Sequence, residues 1–172
     1  MIGVEEYHSN PDYKHCEYVD GEVVELNWGT GPHSSIKANC CALVLNHVDT
    51  LDHGTVAAGL HCRLTVNGGI RFGQPDICVS FDPHIRPRNY LEGGPEFVIE
   101  IRSPDDTIRF RVRKLEEYFA NGCKLAWLVS PEEHTVEVFT PLGHVQILGP
   151  GDTLDGGDVL PGLAVPVNEV FE

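Results

Sequence analysis

The sequence predicts an α/β fold: a mixed central β-sheet flanked by helices, with an N-terminal β-hairpin before it and a C-terminal β-meander after it. Three observations predict it. Short runs of β-formers alternate with two stretches of helical periodicity, an Asp-Gly dipeptide divides an apolar run near the N-terminus, and three closely spaced β-rich runs further on are joined by Pro and Gly. At 172 residues the chain is near the usual size of one domain, so residues 1–172 are expected to form a single globular unit.

In residues 17–27, EYVDGEVVELN, the apolar positions flank Asp20-Gly21, the dipeptide that supplies the positive φ angles of a tight hairpin turn. From His33 to about Val48, the residues Ile36, Cys40, Leu43 and Val44 recur at helical spacing, and Ser34 or Ser35 is available to start that helix. Residues 55–58 and 60–66 read as short strands and Asn67-Gly68-Gly69 as a turn, so the central sheet is expected to begin here. Residues 76–81 (DICVSF) and 96–102 (EFVIEIR) follow as core strands. Ser103-Pro104-Asp105-Asp106 has the order of a helix start, with Ser at the N-cap, Pro at the first helical position and acids at the positive end of the dipole. Gly122 stops that helix. Within it, Ile108, Val112, Leu115 and Phe119 are spaced as a buried stripe, and Thr107, Arg111, Lys114 and Tyr118 run along its border. Residues 125–130, 135–140 and 144–148 form the meander, and a Gly/Asp-rich loop leads to an apolar C-terminal segment.

Composition narrows the class. Hydrophobic residues make up 41% of the chain, enough for an ordered core, and no apolar run approaches the roughly 20 residues of a membrane span. The N-terminal residues are acidic and polar with no signal-like apolar run, so a cytoplasmic protein without a membrane partner is expected, its six cysteines reduced. No Cys-x-x-Cys pair supports zinc, and Asp152, Asp155 and Asp158 lack the alternate spacing of a calcium loop. Absence of G-x-G-x-x-G, a P-loop lysine motif and a G-x-S-x-G elbow disfavours nucleotide-cofactor and serine-hydrolase chemistry. Net charge is −14, which opposes binding to a polyanion, yet six of the twelve basic residues fall between positions 102 and 124. The positive charge is therefore local. Residues 82–95, with Arg86, Arg88 and Tyr90, read either as a loop that touches nucleic acid or as an exposed connection.

Two acids stand out. Alternation along residues 96–102 puts Phe97, Ile99 and Ile101 on one face and Val98, Glu100 and Arg102 on the other, so Glu100 lies in mid-sheet among apolar neighbours. A carboxylate there is costly unless paired or bound to a cation. Asp76, after Pro75 at the head of an apolar strand, raises the same question. Each has two readings: a strand-cap aspartate and a glutamate paired with Arg102 or a helix arginine, or two oxygen ligands suited to Mg²⁺ or Mn²⁺. Lys114, at the border of the helix stripe, is placed to reach toward them. The alternative for it is a solvated lysine with its stem lying on the core.

The ordered set EYVDGEVVEL, His33 opening a helix, Pro75-Asp76, EFVIEIRSP, Lys114 with Tyr118 and Gly122, LAWLVSPEEHTVEVF and DVLPGL resembles the Uma-two (Uma2) family of restriction-endonuclease-like proteins, over roughly residues 4–171. The resemblance implies a PD-(D/E)xK nuclease core in which Asp76 and Glu100 hold the metal and Glu17 and His33 belong to the same pocket. The E-x-K of that motif calls for lysine at position 102, where this chain has Arg102. Arginine stays protonated and suits phosphate better than proton transfer, and Lys114 supplies an ammonium from the helix.

The expected function is therefore Mg²⁺- or Mn²⁺-dependent endonucleolytic hydrolysis of DNA. Asp76, Glu100 and the carbonyl of Ile101 hold the ion, Lys114 assists the attacking water, and Arg102 contacts phosphate. A homodimer is expected, because two symmetric sites cut a duplex most simply. The alternative is a catalytically inert binding or assembly module on the same scaffold, which the net charge and Arg102 favour.

Overall fold

In the computed structural model, residues 1–25, 31–83, 90–104, 107–143 and 145–172 are described. After a short helix, α1 (Val4–Ser9), strands β1 (Cys16–Val19) and β2 (Glu22–Glu25) form the expected hairpin. Asp20 and Gly21 have φ of 52° and 92°, the two positive values that a tight hairpin turn requires. Helix α2 (Gly31–Val48) begins two residues before His33, which places Ser34 and Ser35 inside it rather than at its cap. Its buried row is Ile36, Cys40, Val44 and Val48, spaced four apart.

The hairpin does not stand alone. Strand β1 pairs antiparallel with β5 (Gly69–Gly73), β5 with β4 (Cys62–Val66), and β7 (Leu91–Glu92) joins β4 in parallel, giving a five-stranded sheet ordered β2-β1-β5-β4-β7. Of the two strands with which the central sheet is expected to begin, residues 55–58 lie in it and residues 60–66 belong to this other sheet. The central sheet consists of β3 (Thr55–Ala58), β6 (Ile77–Ser80), β8 (Phe97–Ile101), β9 (Leu125–Ser130), β10 (Thr135–Phe139) and β11 (Val145–Leu148), ordered β11-β10-β9-β8-β6-β3. The β8–β9 pair is parallel and the others antiparallel, so the sheet is mixed as predicted, and β9 to β11 are the meander. A two-stranded sheet, β12 (Thr153–Asp155) with β13 (Ala164–Pro166), leads into a last short helix, α4 (Val167–Phe171). The loop with Arg86 and Arg88 lies outside the described residues.

One face of the six-stranded sheet, through Ile77, Val79, Phe97, Ile99, Trp127 and Val129, packs on α2 and α4. The opposite face, through Cys78, Val98 and Ala126, packs on the five-stranded sheet and on α3 (Ile108–Ala120). Helix α3 starts later than Ser103-Pro104 predicts. Thr107 is its N-cap, its Oγ1 accepting from Phe110 N at 3.2 Å, while Asp105 and Asp106 lie outside the described residues. Gly122, with φ of 111°, follows its end as expected.

The helix is also turned relative to the predicted stripe. Val112 is 44% exposed, whereas Leu115 and Tyr118 are buried, so the row through Arg111, Lys114 and Tyr118 faces inward. Gly73 makes room for this orientation: a Cβ there would lie 3.2 Å from the ring and the hydroxyl of Tyr118. All six cysteines are free thiols, and among the described residues no helix is long and apolar enough to cross a membrane.

Candidate metal and nuclease site

The segment between β5 and β6 crosses from one sheet to the other and carries Gln74, Pro75 and Asp76. It borders a cleft of about 710 Å³ whose walls include His33, Lys37, Asp76, Glu100, Arg111 and Lys114. Antiparallel pairing of Ile77 with Ile99 brings Asp76, one residue before β6, beside Glu100 near the end of β8. Alternation on β1 buries Cys16 and Tyr18 with Phe72 and directs Glu17 the other way, toward α3. Helix α2 contributes His33 and, one turn on, Lys37.

Asp76 is held by three donors. Its Oδ2 accepts from Ile101 N at 2.9 Å and lies 3.4 Å from His33 Nε2, and its Oδ1 accepts from Lys37 Nζ at 3.0 Å. Burial alone would raise its pKa, but the His33 hydrogen bond and the Lys37 charge outweigh burial and hold the carboxyl below the usual range. Lys114 Nζ lies 3.0 Å from Glu17 Oε1, 3.1 and 3.2 Å from the Glu100 carboxylate oxygens, and 3.1 Å from the carbonyl of Gln74. Gln74 N donates to the same Glu17 oxygen at 3.0 Å. Burial disfavours the ammonium, yet Glu100, Glu17 and Asp76 more than offset it and hold Lys114 charged above its ordinary range.

Glu100 is the group left over. Its Oε2 accepts from Lys114, while Oε1, although 3.1 Å from the ammonium, is buried without an aligned hydrogen bond. Burial, then the nearby charges of Asp76 and Glu17, push its pKa up to about 8 against the pull of Lys114. Three carboxyl groups, Glu17, Asp76 and Glu100, thus share two ammonium groups, Lys37 and Lys114. His33 is a third basic partner, on Asp76, so the cluster balances only when that imidazole carries a proton.

The donor set suits a hard ion. Carboxylate and main-chain oxygens are the ligands Mg²⁺ and Mn²⁺ select, and Glu100 Oε1, beside Asp76 and without an aligned hydrogen bond, is an oxygen such an ion could take. Among the described residues no group of three or more His, Cys, Asp and Glu side chains forms a ready-made metal cluster, so an ion here would draw on main chain and water as well.

Five of the residues expected at the site come together: Asp76, Glu100, Lys114, Glu17 and His33, with Ile101 meeting Asp76 through its N–H. Arg102 does not join them. Strand β8 ends at Ile101, and the Arg102 guanidinium instead donates to Ser130 Oγ at 3.0 Å and Glu133 Oε2 at 3.1 Å beside the β9–β10 turn. Two groups went unforeseen, the side chain of Lys37 and the backbone of Gln74. Lys37 carried a readable signal, its i, i+4 spacing from His33 on one helix face. The backbone of Gln74 carried none.

Glu100 also sets a pH dependence. A carboxyl raised to about 8 from an ordinary 4.5 contributes stability that is fully present below about pH 4.5 and lost as pH rises through its folded value. In the presence of a chelator, wild type should therefore lose thermal stability relative to Glu100→Gln between about pH 5 and pH 8, with the difference levelling off above that. Parallel melting curves across this range would show that Glu100 is not holding a proton.

Comparison with known proteins agrees with this architecture. The crystal structure of "a putative nuclease belonging to DUF820" from Anabaena variabilis superposes with a TM-score of 0.85 over 99% of this chain and 98% of that one; at 23% identity, this likeness shows the fold. The uncharacterized protein slr1290 of Synechocystis sp. is 28% identical over 105 residues, 61% of this chain and 54% of that protein, so the match spans about half the length of this relative. Residues 4–168 match the sequence profile of Uma2, described as "Putative restriction endonuclease". With a match through nearly its whole length, the chain belongs to the Uma2 family.

Proposed function

We propose that the protein is a Mg²⁺- or Mn²⁺-dependent DNA endonuclease whose ion is held by Asp76, Glu100 and the carbonyl of Ile101. The observation that carries this reading is the buried Glu100 carboxylate beside Asp76: its Oε1 has no hydrogen bond, and three acids meet two ammonium groups and one imidazole. A divalent ion bound there would generate a nucleophilic water at neutral pH and offset charge on the scissile phosphate.

The protein's own groups do the positioning. His33 and Ile101 N fix the Asp76 carboxylate, and the neighbouring cations keep it ionised and ready as a ligand. Lys114 fixes Glu100 from one side and Glu17 from the other, so the carboxylate of Glu100 is oriented before any ligand arrives. Glu100 would bind such an ion as the carboxylate, and its raised pKa of about 8 makes that binding depend on pH. Although the chain carries −14, Lys14, Lys37 and Arg111 line the cleft, so cations are at hand there for a phosphate backbone. Arg111 and Lys14 on the cleft wall are better placed for phosphate than Arg102, which Glu133 engages. Two copies of the site serve the two strands of a duplex, so a cytoplasmic homodimer belongs to this reading.

Incubation of plasmid DNA with the purified protein, with Mg²⁺ or Mn²⁺ and with EDTA, tests the proposal. Cleavage is expected with either ion and none with EDTA. Calorimetric binding of Mn²⁺ without cleavage of any nucleic acid would favour the inert module, and absence of both would end the metal-site reading.

A further inference from the structure

Two ammonium groups meet the carboxylates of the cleft, and they differ in their freedom to act. Lys114 is 13% exposed, and its three protons face three acceptors inside the protein: Glu17, Glu100 and the Gln74 carbonyl. To donate to a substrate it would have to abandon a buried acceptor, at a cost larger than the bond gained. Lys37 is 31% exposed, lines the cleft, and bonds to Asp76 Oδ1 at 3.0 Å. The other oxygen of Asp76 already serves Ile101 N and His33. Oδ1 is therefore the oxygen an ion would take, and the Lys37 ammonium sits on it.

We propose that Lys37 is the substrate-facing cation of the site. It neutralises Asp76 Oδ1 while no divalent ion is bound, and it passes to a phosphate oxygen of the nucleic-acid backbone when an ion takes its place. The inference rests on the endonuclease reading above and adds to it the residue through which ion binding and phosphate binding are coupled. A lysine suits such an exchange, being a point charge on a flexible four-carbon stem, and a partly exposed pair is inexpensive to part. The exchange also couples the two ligands: an ion frees the ammonium for phosphate, and phosphate, by drawing the ammonium away, strengthens ion binding by the same factor.

The test compares the full chain with Lys37→Met and Lys37→Arg. Each is titrated calorimetrically with Mn²⁺ alone, then assayed for binding of a short DNA duplex with Ca²⁺ present and absent, and for plasmid cleavage with Mg²⁺. Circular dichroism monitors the fold, which a change at this partly exposed helix position should preserve. Lys37→Met should bind Mn²⁺ about threefold more tightly than wild type, because the competing charge is gone. It should also lose the ion-dependent gain in DNA affinity and cleave on the order of 100-fold more slowly. Lys37→Arg should keep part of the DNA response. Unchanged or weaker Mn²⁺ binding in Lys37→Met overturns the inference, and so does cleavage at the wild-type rate. These results leave the metal site standing when wild type itself binds Mn²⁺. Failure of wild type to bind Mn²⁺ removes the endonuclease reading and the inference with it.

Discussion

Asp76→Ala and Glu100→Ala should each lower Mg²⁺-dependent cleavage by on the order of 10³-fold while leaving a folded protein. The two losses have different physical contents. Removing the Asp76 carboxylate takes away the acceptor of Ile101 N, His33 and Lys37 together, so the ion site, the orientation of the helix residues and the charge balance all fail at once. Removing Glu100 takes away the acid whose oxygen has no hydrogen bond. Glu100→Ala should therefore be inactive yet no less stable than wild type above about pH 8, where the native carboxylate is forced to ionise. Initial rates on plasmid DNA, with unfolding followed by circular dichroism at about pH 8, measure both quantities on the same samples. Wild-type cleavage by either variant would dismiss the assignment of that residue as a ligand.

Lys114→Met should destabilise the protein by about 3–5 kcal/mol near pH 8, because it leaves Glu17 and Glu100 facing each other without the ammonium between them. The direction with pH follows from the carboxyls. Lys114 is what pulls the raised Glu100 carboxyl down, so without it Glu100 is raised further, and the penalty is small below about pH 4.5, where the unfolded chain also holds its protons. It grows as pH rises. Urea unfolding at about pH 5 and pH 8 separates this electrostatic cost from lost packing, which would be the same at both. The double variant Lys114→Met, Glu17→Gln should recover part of the loss by removing one of the stranded charges. A change below about 1 kcal/mol at the higher pH would mean that water, not Lys114, satisfies these acids.

Much of this arrangement was legible in the sequence, and the misses have identifiable causes. The hairpin followed from Asp20-Gly21, because few residue pairs tolerate two positive φ angles in succession. Glu100 followed from strand alternation and the cost of burying an acid. The five-stranded sheet was hidden, since pairing of β1 with β5 joins residues some fifty positions apart, as in Tyr18 with Phe72, and leaves no local periodic mark. The rotation of α3 was hidden for another reason. Hydrophobic spacing ranks Val112 above Lys114 for the interior, but the space left by Gly73 admits Tyr118 and two buried acids draw the lysine inward. Arg102 was misplaced because alternation was carried one residue beyond the end of β8.

Lys114 joins a carboxylate on each of the two sheets through the helix that lies between them. The link that orients a ligand is therefore also a fastener across the seam of the fold. Exchanging this lysine for a neutral residue would loosen that seam as well as release Glu100, so pressure for folding alone would favour keeping a cation at this position.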